Sequence, residues 1–78
     1  AQQGFLRAYG LIGQMYFNGE AVAKDYRTAL MWYNIADING DKTSKPLIAL
    51  ISKLISGAEV DEAKRLAREC VQNAYQKC

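Results

Sequence analysis

The 78-residue chain has no histidine, a single proline, two cysteines and no apolar run longer than five residues. Without histidine it lacks the commonest general base near neutral pH and the commonest metal ligand. Cys70 and Cys78 cannot complete a zinc site alone, and no further ligands stand near them, so neither metal nor cofactor is expected. Leu47–Ile51, among the longest apolar runs, is far below the roughly 20 residues of a membrane-spanning helix, so no membrane insertion is expected. No basic segment leading into an apolar one opens the sequence, which places any signal peptide outside it. One proline and few β-branched residues argue against a sheet protein. Ten Lys and Arg against eight Asp and Glu give +2, too little to imply a nucleic-acid partner.

What remains is ordinary globular material, 50% hydrophobic and 23% charged. One small domain is expected, and a chain this short buries only about 60% of its unfolded surface, so its core is thin.

Four helices can be read along the chain. The first spans roughly Gln3 to Asn18, with Leu11, Ile12, Met15 and Tyr16 as its apolar face and Gly19 as its C-terminal cap. Asp25 stands where an N-cap is wanted for a second helix, Tyr26 to Ile38, which Asn39-Gly40 stops. The buried stripe of that helix is Tyr26, Ala29, Leu30, Trp32, Tyr33 and Ala36. The third starts near Thr43 or Ser44, with Pro46 in its first turn, and runs through Leu47, Ile48, Leu50, Ile51, Leu54 and Ile55. Being apolar nearly all round, it is expected between neighbours. Ser56 and Glu59 form a capping box for the fourth, whose line is Val60, Ala63, Ala67, Cys70 and Ala74. Asp61–Arg65 and Arg65–Glu69 are i,i+4 pairs on its wet side. Short loops between four helices predict an all-α fold of two stacked antiparallel helix hairpins.

The hairpins repeat. A shift of 36 takes Gly4 to Gly40, Ala8 to Ser44, Leu11 to Leu47, Ile12 to Ile48 and Gly13 to Ala49. A shift of 34 takes Ala29 to Ala63, Trp32 to Leu66, Tyr33 to Ala67 and Ala36 to Cys70. The missing positions fall between the helices, where loops absorb deletions. Gly13, Ala49, Ala8 and Ser44 are read as close helix contacts, and Trp32-Tyr33 as packing between hairpins.

The first unit reads Ala1-x-x-Gly4, Ala8, Ile12-Gly13-x-Met15-Tyr16, Gly19, Val22 and Asp25, then Ala29-x-x-Trp32-Tyr33, Ala36 and Gly40. This pattern resembles the Sel-one-like repeat, a helix hairpin related to tetratricopeptide repeats. Ala21 departs from it where glycine is usual, and Asp37 where a second alanine is. Residues 1–40 resemble a full repeat and 41–78 a degenerate closing one. The resemblance implies an α/α solenoid that serves as an adaptor or scaffold, binding a protein or peptide partner and holding no catalytic residues. It places the partner on the concave face, lined by the first helix of each hairpin. The outward positions there are Arg7, Gly10, Gln14, Phe17 and Asn18, and in the second unit Thr43, Pro46, Leu50, Lys53 and Leu54. Arg7, Gln14 and Asn18 fall on one stripe of the first helix. Phe17 is either an aromatic anchor beside them or a lid on the core. The alternative to an adaptor is a structural C-terminal cap of a longer array, which would self-associate through its N-terminal hairpin.

The remaining constellations are bland. Asp37 to Asp41 imitates the start of a calcium loop, but Lys42 stands where glycine is needed and Ile48 where the bidentate glutamate belongs. Lys42, Lys45 and Lys53 with Lys64, Arg65 and Arg68 read as a solvated face. Asp61-Glu62 suits the helix dipole, and no nucleophile has a base beside it in sequence, so no enzyme is expected.

Cys70 and Cys78 are the two ends of one open question. Eight helical residues rise about 12 Å, whereas a disulfide needs Cα atoms within about 7 Å. A bridge therefore requires the fourth helix to stop near Ala74, with Asn73 as a cap. Bridged, the short loop would contribute about 2–3 kcal/mol and indicate a periplasmic or secreted protein. The bridge is the more natural use of the pair; left as free thiols, the two cysteines would point to the cytoplasm.

Overall fold

The computed structural model describes residues 2–73, with side chains from Ala8 onward, and is all-α. Helix α1 spans Gln2–Asn18, α2 Tyr26–Ile38, α3 Lys45–Ser52 and α4 Gly57–Gln72, with a 3₁₀ turn over Lys42–Ser44. Helix α2 is the shared element, packed against α1, α3 and α4. Its Ala29, Leu30, Met31, Tyr33, Ile35 and Ala36 are buried, joined by Ile51 of α3 and Ala63, Ala67 and Cys70 of α4.

The helix ends follow from residues chosen for them. Gly19 takes φ +73, and Glu20 N–H donates to Met15 O at 2.9 Å, closing a Schellman motif. The loop then returns, and Asp25 N–H satisfies Tyr16 O at 3.0 Å. Asp25 caps α2 by accepting from Thr28 N–H at 3.2 Å and Thr28 Oγ1 at 2.8 Å. Burial pushes the Asp25 carboxyl up, but these bonds, the Arg27 amide and the Arg27 charge together hold it below its ordinary value. At the other end of α2, Gly40 takes φ +100; Asp41 N–H reaches Ala36 O at 2.9 Å and Gly40 N–H reaches Asp37 O at 3.0 Å. That second Schellman motif turns the chain into the 3₁₀ segment. The Ser56–Glu59 capping box opens α4, with Glu59 N–H on Ser56 Oγ at 3.2 Å and Ser56 N–H on Glu59 Oε1 at 3.3 Å.

Several expectations need correction. Helix α3 is not enclosed: Leu47, Leu50 and Leu54 are 36%, 46% and 49% exposed, and Ile51 is its one buried residue. The helix is short and rests on α2 along a single line, leaving its far side to water. It also stops at Ser52, where Lys53 and Leu54 wind into tighter turns onto Leu50 O and Ile51 O. Leu11 is 59% exposed instead of lying on the inner face of α1. Ala49 is exposed, so only Gly13 of that small-residue pair is a close contact. A Cβ on Gly13 would stand 3.2 Å from three ring atoms of Tyr33, so the glycine is what lets the ring lie against α1. Of the two expected pairs, Arg65–Glu69 forms at 2.8 Å, while Arg65 meets Glu62 at 4.0 Å in place of Asp61. Glu62 also meets Arg27 across α2 and α4 at 3.3 Å, an exposed pair worth under about 1 kcal/mol.

Candidate functional site

A groove of about 320 Å³ runs between α1 and the start of α3. Gly10, Leu11 and Gln14 line it from α1, Asp41, Thr43, Ser44 and Leu47 from the opposite side, and Tyr33 of α2 from between them. Two helical facts open it. Gly10 has no side chain to fill the space, and an added Cβ there would find its nearest neighbour, Asp41 Oδ2, only at 3.9 Å. Leu11 and Leu47 keep apolar surface on the rims, since neither reaches the core.

The polar groups come from the turn. Asp41 Oδ1 accepts from Thr43 N–H at 3.1 Å and from the Thr43 hydroxyl, which fixes the carboxylate as the cap of the 3₁₀ segment. Ser44 is 2% exposed and makes no side-chain capping bond. Tyr33 is 4% exposed, and burial raises its phenol above the ordinary value, which keeps it a protonated donor at neutral pH.

No family model, curated protein or solved structure matches the chain.

Of the residues that the repeat resemblance put on the concave face, Gly10, Gln14 and Thr43 line the groove. Phe17 is half-buried, its ring centroid 5.4 Å from that of Tyr26, with Lys24 Nζ 5.4 Å from the Tyr26 ring on the same cluster. Asn18 is exposed and donates to Glu20 Oε1 at 3.0 Å. Leu50 on α3 and Lys53 just after it are exposed but do not line the groove. The side chain of Arg7 lies outside the described residues. So does Cys78; Cys70 is buried on α4, which ends at Gln72 with Asn73 as its cap.

Tyr33, Asp41, Ser44 and the two rim leucines were not legible as site residues. Tyr33 and both leucines share their spacing with core positions, and Asp41 and Ser44 stand where ordinary helix starts place them. The one available signal was the repeat shift itself, which pairs Leu11 with Leu47. Among the described residues no three His, Cys, Asp or Glu side chains group so as to hold a metal ion, and no helix is long and apolar enough to cross a membrane.

Proposed function

We propose that the chain is a Sel-one-like, tetratricopeptide-like repeat module, two helix hairpins of an α/α solenoid, that binds a protein or peptide partner between α1 and α3. It acts as an adaptor, without catalysis or cofactor. The observation that carries this reading is the groove itself, rimmed by the repeat-related pair Leu11 and Leu47 and lined by first-helix positions of both units. Burial supports the repeat. Ala29 and Ala63 are both buried, as are Ala36 and Cys70, Tyr33 and Ala67, while Ile12 and Ile48 are both half-buried.

Gly10→Leu tests it, because a side chain at that position grows into the groove without a clash at its Cβ. Peptides enriched from a random heptapeptide display library on the immobilised chain should bind the wild type and lose Gly10→Leu. Equal binding to both, or no enrichment, would overturn the reading.

The cap alternative calls for self-association through the N-terminal hairpin, whereas the exposed stripe Leu47, Leu50 and Leu54 lies on the second hairpin, so the second reading it favours is docking of another copy or repeat on that hairpin. Concentration-dependent self-association in sedimentation, abolished by Leu50→Glu, is then expected; a strict monomer sinks it. A Cys70–Cys78 bridge would go with a periplasmic or secreted setting. Alkylation without reductant should add no group if it is present, and two added groups would refute it.

A further inference from the structure

The polar atoms of the groove specify more than a general peptide site. Among the described residues no side-chain nitrogen or oxygen is sealed from solvent without a partner. The Tyr33 and Ser44 hydroxyls have no bond within the protein, so both reach solvent although their residues are 4% and 2% exposed, and both residues line the groove. Asp41 uses Oδ1 for Thr43, and its Oδ2 is the atom facing Gly10. It enters no ion pair, although Lys42 and Lys45 flank its turn.

Asp41 Oδ2 carries no ion pair, so a cation entering the groove would gain a charge-assisted bond there. An ammonium or guanidinium supplies that charge together with several N–H donors, and only acceptors can receive the surplus. The two hydroxyl oxygens are such acceptors. A carboxylate ligand would find two hydroxyl donors but also the like charge of Asp41. The rims, meanwhile, offer Leu11 and Leu47 to an apolar side chain.

Building on the groove reading above, we infer that the site selects peptides in which lysine or arginine adjoins a bulky apolar residue. The apolar side chain lies between Leu11 and Leu47. The cation meets Asp41 Oδ2, and its remaining donors meet the oxygens of Tyr33 and Ser44.

The test uses the whole chain and the same random heptapeptide library. Enriched peptides should carry Lys or Arg next to Leu, Ile, Met or Phe. Asp41→Asn keeps an equally good cap for Thr43 N–H while removing the charge, so the fold is retained and melting checks it. It should weaken a basic peptide about tenfold and leave its norleucine counterpart unchanged. Tyr33→Phe, which keeps the ring against Gly13, should cost about threefold. Enrichment of acidic or uncharged peptides that still lose Gly10→Leu, or indifference to Asp41→Asn, overturns this inference and leaves the groove reading standing. Peptides indifferent to Gly10→Leu overturn both.

Discussion

Ala21 is the one non-glycine residue with positive φ among the described residues, at +64°. The loop that holds it is tied at both sides, by Glu20 N–H on Met15 O and by Asp25 N–H on Tyr16 O, so the backbone cannot relax without breaking a helix cap. In the left-handed region a Cβ crowds the following carbonyl, at about 1–2 kcal/mol. Ala21→Gly removes that crowding. Against it stands the extra freedom glycine gives the unfolded chain, about 0.4–1 kcal/mol. Ala21 is exposed, so no packing is lost. The net expectation is a gain of about 0.5–1 kcal/mol, or about 2–8 °C in Tm for a domain of this size. Thermal melts by far-UV circular dichroism, with urea titrations showing an unchanged slope, measure it. A Tm equal to or below the wild type would refute the argument, since it would mean that the loop holds no strain at this position. The reverse change next door calibrates the assay. Gly19→Ala meets both φ +73 and Lys24 Cβ at 3.3 Å, and should lose about 1–2 kcal/mol.

Three further outcomes are expected. Gly10→Ala should stabilise by about 0.5–1 kcal/mol through helix propensity, whereas Gly13→Ala should destabilise by about 1 kcal/mol, because the Tyr33 ring must move; equal Tm changes in denaturation would contradict the close contact. Ile51→Ala, at 0% exposure, should cost about 2–5 kcal/mol and Leu50→Ala no more than about 0.5; a large loss at Leu50 would show that α3 is covered on both sides. The lowered Asp25 carboxyl contributes stability that is present above its unfolded pKa, about 3.9, and lost as pH falls through its lower folded value. Asp25→Asn keeps the cap but not the titration, so its stability should fall less steeply than that of the wild type in urea titrations between pH 5 and pH 2; parallel curves would argue against it.

The local signals in this sequence were strong because each acts within a few residues. Asp25, Gly19, Asn39-Gly40, Pro46 and the Ser56–Glu59 box set helix ends through bonds to their own turn, and no distant partner has to agree. Periodicity marked Ala29, Leu30, Tyr33 and Ala36 of α2 and Ala63, Ala67 and Cys70 of α4, but it counted the half-buried Tyr26 and Trp32 as buried and passed over Met31 and Ile35. It failed at Leu11, Leu47, Leu50 and Leu54, because a leucine reads the same on a covered and an uncovered face. Which faces are covered depends on how many neighbours a helix has, and α3 rests chiefly on α2.

The groove belongs to that second category. Its residues come from three helical segments and a turn, far apart along the chain, and none is unusual where it stands. The sequence alone determined the all-α class, the capped element ends other than the C-terminus of α3, and the alanine-lined interior. Tertiary structure decided that Gly10 faces open space while Gly13 faces Tyr33, and that Leu11 and Leu47 meet Tyr33, Asp41 and Ser44 around one groove. The physical reason is that helix formation is a local matter of caps and propensity. A binding surface is whatever the packing of those helices leaves unfilled.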